Sequence, residues 1–281
     1  QGRHGRDERQ RRRRHDLRAA LETMRCSEEQ ISRIYYGSEF CERSLPGVSA
    51  LEEMLDLAEQ HDLAITLLTP PVTDAGIAGV RPLLETLARR GRPLTEVLVS
   101  DWGLLYALRE RHPELRAVLG RLLHPGISDP RLAARIARCP DLPESARRFF
   151  QGSSTSARDY RAMLAEFCVR RVEFDRPNQG LATGLADSQV AGSVHFPYGV
   201  VATGRVCYPG SVDRVRPEKF ALFPCARQCG ETWFERDASA RWIESGNTSF
   251  FTMDREAMLR TLVEAREQGI DRCVLDPGLP H

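Results

Sequence analysis

Strand-like and helix-like stretches alternate along most of this 281-residue chain. Residues 64–70, AITLLTP, form a short apolar run that ends in proline, which is typical of a buried strand. Residues 49–63 instead repeat their apolar positions with the period of an amphipathic helix. Because parallel strands are joined by helical crossovers, repeated strand–helix units predict a parallel sheet.

The number of these units predicts the architecture. Seven or eight strand-like stretches are separated by helical ones, which favours an α/β fold with a complete or truncated TIM-type barrel over a two-layer antiparallel fold. In such barrels the chemistry lies at the C-terminal ends of the strands. Cys41 follows the first predicted strand, residues 34–40, and therefore lies where functional residues are expected.

Composition divides the chain into segments. Residues 1–30 are interpreted as a basic N-terminal segment and residues 31–281 as a single barrel-like domain. Within that domain, residues 177–233 lose the regular alternation and are rich in glycine, proline and aromatic residues, so they are predicted to be a functional insertion. Short strands are predicted inside it at residues 193–201 and 220–224.

Charge and hydropathy restrict the class of protein. The net charge of +1 argues against a nucleic-acid-binding surface, and the arginine-rich start lacks interleaved aromatic residues, so it is interpreted as a solvated segment. No run of about 18 apolar residues is present, which predicts a protein without a membrane span. The expected location is the cytoplasm.

Eight cysteines are present, and a chain with a core of this size does not need disulfides. Cys225 and Cys229 lie close together in LFPCARQCGETW, Cys207 precedes them, and Cys41 completes a candidate set of four metal ligands. Their spacing, C-x165-C-x17-C-x3-C, matches no standard zinc finger or ferredoxin. Iron–sulfur and structural zinc sites both accept four thiolates, so the residues leave these two open, beside a set of ordinary free thiols.

The remaining four cysteines are predicted to pack in the core, because Cys168 and Cys273 lie in periodic apolar stretches and Cys26 and Cys139 lie at helical positions.

Other polar and aromatic residues are candidates for a substrate pocket, although strand-terminal acids are often loop caps and tryptophans often belong to the core. The polar candidates are Glu39, Asp101, Glu173, Asp175, Asn178 and His195, and the aromatic ones are Trp102 and Trp233.

Several motifs resemble a known family. RVEFDRPNQGL, HFPYGVVATGRVC, the paired cysteines and SGNTSFF with GIDRCVLDP, preceded by VLVSDWGLL and VLGRLL, are similar to peptidase family U-32 and especially to its UbiV-type branch. The resemblance extends over residues 34–277 and covers most of the chain.

This resemblance implies a barrel-like α/β fold with a [4Fe-4S] cluster held by Cys41, Cys207, Cys225 and Cys229, which makes residues 177–233 a cluster-binding insertion. It also implies an iron–sulfur component of oxygen-independent ring hydroxylation in ubiquinone biosynthesis, with a small aromatic substrate and a heterodimer formed with a UbiU-like protein. Two alternatives stay open. One is a peptidase, although the chain has neither H-E-x-x-H nor G-x-S-x-G, and the other is a non-catalytic partner subunit stabilised by zinc.

Overall fold

The computed structural model describes residues 22, 27–90, 94–124, 126–186, 188–212 and 225–280. Nearly all of the basic segment assigned to residues 1–30 lies outside these ranges, as does the strand predicted at residues 220–224. Within the described ranges, no helix is both long enough and apolar enough to cross a membrane.

Eleven strands are present among the described residues. They are β1 Arg33–Gly37, β2 Ala64–Thr69, β3 Glu96–Val99, β4 Arg116–Leu119, β5 Arg171–Phe174, β6 Ala191–Phe196, β7 Tyr198–Thr203, β8 Trp233–Asp237, β9 Trp242–Ser245, β10 Thr248–Thr252 and β11 Ile270–Leu275. Seven of them form one sheet in the order β1-β2-β3-β4-β5-β6-β11, and all of its neighbouring pairs are parallel.

Helices follow most of these parallel strands. The α-helices of the described residues are α1 Val48–Gln60, α2 Asp74–Arg90, α3 Trp102–Arg111, α4 Leu132–Ala137, α5 Glu144–Gln151, α6 Arg158–Glu166, the single turn α7 Tyr208–Ser211, and α8 Arg255–Ala265. In α1 the buried residues Leu51, Leu55 and Ala58 recur at helical spacing, as the sequence predicts. The α/β prediction is therefore confirmed.

The parallel sheet is curved into a half-barrel. Tyr35 on β1 donates its hydroxyl hydrogen to Glu173 on β5, with 2.9 Å between the oxygens, and it accepts a hydrogen bond of 3.0 Å from Arg272 on β11. Strands β1 and β11 are the two edges of the seven-stranded sheet. Side chains on opposite edges meet only if the sheet bends, so this architecture is compatible with a truncated barrel.

A second, antiparallel sheet packs at the carboxyl end of β1. Its order is β7-β10-β9-β8. Phe250 of β10 packs against Phe40, with ring centroids 5.3 Å apart, and Asn247 donates a hydrogen bond of 2.8 Å to the carbonyl oxygen of Phe40. This packing holds the second sheet over the edge where Cys41 lies.

Pro197 separates the two sheets. The stretch predicted as one strand at residues 193–201 is instead β6 in the parallel sheet followed by β7 in the antiparallel one. Proline has no backbone N–H to donate to a strand ladder, which explains the interruption. Part of the segment at residues 177–233 therefore belongs to the main sheet.

Gly37 provides a test of the contact between β1 and β2. Its φ is +130°, and a Cβ at this position would lie 2.4 Å from the carbonyl oxygen of Leu68. We expect Gly37→Ala to lower the free energy of unfolding by about 2–3 kcal/mol, because strain and a backbone clash add together. Urea denaturation measures this change.

Gly79→Ala is the control. Gly79 lies within α2, and a Cβ there has nothing within 4 Å. Alanine should raise stability by about 0.5–1 kcal/mol at such a helical position. Equal effects of the two substitutions would contradict the close approach of Gly37 to β2.

Candidate metal centre

Cys41 lies in a short loop after β1. The Ser38 hydroxyl donates to the carbonyl oxygen of Cys41 at 2.9 Å, and the Cys41 N–H donates to the same hydroxyl oxygen at 3.2 Å. The next residue, Glu42, accepts a 2.7 Å hydrogen bond from the backbone N–H of Thr73, just before α2. The loop is thereby tied to the main sheet and to the following crossover.

Cys207 follows β7 and immediately precedes the single turn α7. The backbone N–H of Tyr208 donates a 2.7 Å hydrogen bond to the carbonyl oxygen of Gly246. Gly246 lies in the turn between β9 and β10. The antiparallel sheet therefore sets the position of Cys207.

Cys225 and Cys229 flank a tight turn. Arg227 between them has a left-handed backbone with φ of +56°, and its N–H lies 3.4 Å from the sulfur of Cys225. The Arg227 guanidinium also donates a 3.3 Å hydrogen bond to the carbonyl oxygen of Arg43. This contact joins the Cys225–Cys229 turn to the loop that carries Cys41.

The four thiols act on one another electrostatically. Burial raises the pKa of Cys229, and the thiols of Cys207, Cys41 and Cys225 raise it further. Burial also raises the pKa of Cys207, with additional contributions from Cys225 and Cys41. The structure thus brings together the four cysteines singled out from the sequence, although they come from three separate segments.

Thiols that influence each other's pKa are not necessarily close enough to bind one metal ion. Among the residues that the structure describes, no three histidine, cysteine, aspartate or glutamate side chains are arranged to hold a metal ion. A tetrahedral zinc with bonds of about 2.3 Å to sulfur needs sulfur atoms about 3.8 Å apart. Electrostatic influence extends farther than ligation, so the two observations are compatible.

The interpretation of the other cysteines as core residues is wrong for those the structure describes. Cys139, Cys168 and Cys273 are all exposed, and Cys26 lies outside the described ranges. Cys168 has φ of +55° and follows the end of α6, so it is not on that helix's apolar face. Cys273 lies on the edge strand β11, next to the inward-facing Arg272.

Next to the cysteine group, a buried arginine joins the ends of β1 and β5. Arg121 donates to both carboxylate oxygens of Glu39, at 3.0 and 2.6 Å, and to Asp175 at 2.8 Å. Its side chain is 1% exposed, and those of Glu39 and Asp175 are 4% and 9% exposed. Two of the predicted polar candidates therefore meet, through a residue that the sequence analysis did not single out.

Arg121 does not stand out in the sequence, because residues 116–123, RAVLGRLL, have the apolar pattern of one continuous strand. The strand ends at Leu119, and a Cβ on Gly120 would lie 2.4 Å from the hydroxyl oxygen of Ser100. Gly120 was the available signal that the strand ends and that Arg121 is a strand-end residue.

Deeper in the half-barrel, His195 lies between two carboxylates. Its Nε2 is 3.1 Å from Glu173 and its Nδ1 is 3.5 Å from Asp276. Burial and the charge of Arg121 lower the pKa of His195, but hydrogen bonds to Asp276 and Glu173 outweigh them and raise it to about 9. Burial opposes ionisation of Glu173, yet the hydrogen bond from His195 leaves its pKa below the usual value.

The stability of the protein should therefore depend on pH through His195. A raised pKa stabilises the folded state fully below the unfolded value of 6.5, and this contribution disappears as the pH rises through about 9. We expect the free energy of unfolding to fall by an amount on the order of 3 kcal/mol between pH 6.5 and pH 9. Urea denaturation across this range measures the slope, and His195→Gln should flatten it. An equal slope in both proteins would contradict the assignment.

The remaining candidates have local structural roles. Asp101 caps α3 by accepting a 3.0 Å hydrogen bond from the N–H of Leu104, and Asn178 donates to the carbonyl oxygen of Pro130. Trp102 packs edge-on against Tyr160, and Trp233 is 54% exposed at the start of β8. In the hydrogen bonds described above, none of these four residues is bonded to Arg121, to His195 or to the carboxylates that these two residues contact.

Comparisons with known proteins found no matching family model, no matching curated protein and no matching solved structure.

Proposed function

We propose that this chain is the iron–sulfur component of an oxygen-independent hydroxylation system that acts on an aromatic ring. The observation that carries the metal centre is the convergence of Cys41, Cys207, Cys225 and Cys229 at the carboxyl end of β1. The hydroxylation reaction and its ring substrate come from the resemblance to the UbiV-type branch of family U-32.

The donor set fits a [4Fe-4S] cluster, because such clusters are held by four cysteine thiolates. When bound, the cluster supplies electron transfer. The chain itself holds the cysteine-bearing segments near one another: the hydrogen bond from Arg227 to the Arg43 carbonyl joins two of them, and the β9–β10 turn positions the third. Zinc is the alternative for the same four thiols.

Other parts of the proposal also rest on the resemblance. The half-barrel is then a truncated TIM-type barrel, the location is the cytoplasm, and the partner in a heterodimer is a UbiU-like protein. The seven-stranded parallel sheet supports the first of these, because its strands follow one another in barrel order up to β6.

The identity of the bound metal distinguishes a hydroxylation component from a non-catalytic subunit. We expect the anaerobically purified protein to be brown and to contain about four irons and four acid-labile sulfides per chain. A colourless protein with one zinc per chain would favour a metal-stabilised, non-catalytic subunit. A protein with neither metal after iron and sulfide reconstitution would overturn the proposal.

A further inference from the structure

A cavity of about 200 Å³ lies where β4 and β5 end beneath β7. We call it the β4–β5 cavity. Its apolar lining includes Phe150, Phe174, Leu181 and Val200. In parallel α/β sheets the carboxyl ends of the strands are the usual place for ligands. The cavity therefore has the position and the lining of a binding site.

Its size limits the ligand to a small molecule. An apolar protein cavity of about 150 Å³ is large enough to bind benzene. The β4–β5 cavity, at about 200 Å³, accommodates one six-membered ring with a substituent. A nucleotide is too large for this volume.

The charged residues of the lining, Arg121 and Asp175, are hydrogen-bonded within the protein. Arg121 donates hydrogen bonds to Glu39, to Asp175 and to the carbonyl oxygen of Tyr198, which together use four of its five N–H groups. Asp175 also accepts a 3.0 Å hydrogen bond from the backbone N–H of Val200. Neither charge is available to a charged ligand, so the lining favours an uncharged one.

His124 provides a hydrogen-bond acceptor. Its Nε2 contacts the carbonyl oxygen of Glu173, and a carbonyl oxygen only accepts, so Nε2 carries the proton and Nδ1 has a lone pair. Burial lowers the pKa of His124, which keeps the ring neutral at pH 7. The hydroxyl oxygen of Ser153 lies 3.4 Å from Nδ1, a long contact that a ligand hydroxyl can replace.

We propose that the β4–β5 cavity binds a small, uncharged six-membered ring that carries a hydroxyl group, and that this hydroxyl donates to Nδ1 of His124. The role of this cavity as the substrate pocket of the hydroxylation system rests on the proposed function. Its ability to bind such a ring is independent of the metal centre, because none of the four cysteines lines the cavity.

Isothermal titration calorimetry with phenol, benzene and benzoate tests this ligand class on the purified full chain. We expect phenol to bind most tightly, benzene more weakly and benzoate not measurably, because the lining residues that the structure describes offer a hydroxyl acceptor but no free cation. Benzoate binding as tight as phenol binding, or no phenol binding at all, would overturn the proposal.

Two substitutions locate the binding. His124→Gln retains a donor for the Glu173 carbonyl but removes the acceptor at Nδ1, so phenol affinity should fall about ten-fold, the effect of one hydrogen bond, while benzene affinity stays unchanged. His112→Gln, a histidine at the end of α3 that does not line the cavity, is the matched control. Unchanged phenol affinity in His124→Gln would remove Nδ1 from the site.

Ala202→Trp provides an independent measurement if the His124 variant does not fold. Ala202 is exposed and lines the cavity, so tryptophan there should fill its rim and abolish binding of both phenol and benzene. Unchanged binding would place the ligand elsewhere and overturn the proposal.

Phenol titration of Cys41→Ala separates the two proposals. Phenol binding retained in an iron-free protein supports the cavity whatever the metal result is. A wild-type protein that contains iron but does not bind phenol would leave the metal centre standing and defeat the cavity.

Discussion

Cys41→Ala is expected to remove most of the iron and the visible absorbance from the anaerobically purified protein. Cys41 is separated by 165 residues from Cys207, yet its thiol contributes to raising the pKa of both Cys207 and Cys229. Removing one of four thiolates leaves one iron without its protein ligand, and an incomplete site loses the cluster. The same loss should follow Cys225→Ala.

Cys168→Ala is the matched control, because Cys168 is exposed, follows α6 and is not one of the four candidate ligands. Its iron content, sulfide content and spectrum should equal those of the wild type. Iron, zinc and sulfide analysis of the three variants beside the wild type makes the comparison. An unchanged iron content in Cys41→Ala would remove Cys41 from the ligand set, and loss of zinc instead of iron would identify a zinc site.

Arg121→Leu is expected to lower the free energy of unfolding by about 3–5 kcal/mol. The substitution leaves the buried carboxylates of Glu39 and Asp175 without the guanidinium that bonds both of them. An uncompensated buried charge is far more costly than the loss of an exposed ion pair. Urea denaturation at pH 7 measures the change.

Arg90→Leu is a matched control, since Arg90 also contacts two carboxylates, those of Asp56 and Glu59, but both partners are more than half exposed. Its cost should stay below about 1 kcal/mol. Adding Glu39→Gln and Asp175→Asn to Arg121→Leu should recover part of the stability, because the unpaired charges are then removed. Similar costs for Arg121→Leu and Arg90→Leu would contradict the buried network.

Local sequence patterns were sufficient for most of the regular elements. The apolar stripe of α1 and the short apolar run of β2 each carry their own period, so neither depends on distant residues for its prediction. Helix α5 was not predicted, because it is only eight residues long and none of its residues is buried, although Ala146, Phe149 and Phe150 recur at helical spacing. Strand β8 was also missed, since most of its residues are exposed and lack an apolar alternation.

Side-chain environments were harder to predict. Cys139 and Cys168 were assigned to the core from nearby apolar residues, but each follows a helix end, where the chain turns its side chains towards solvent. Arg121 and His124 were not recognised at all, because a strand-like pattern runs past the end of β4. The direction that the chain takes after a helix or strand ends depends on tertiary contacts. The local pattern of apolar residues carries no information about those contacts.

The sequence by itself determined the alternation of strands and helices, and with it the parallel α/β sheet, because hydrophobic period and crossover length are local properties. It also supplied the four cysteines as a candidate set, although their spacing matched no standard motif. Only the tertiary structure decided that these thiols share one neighbourhood, that Arg121 joins the ends of β1 and β5, and that a cavity opens beside His124. These features join segments separated by tens to more than a hundred residues, and such contacts arise from the curvature and packing of the two sheets, which no local period encodes.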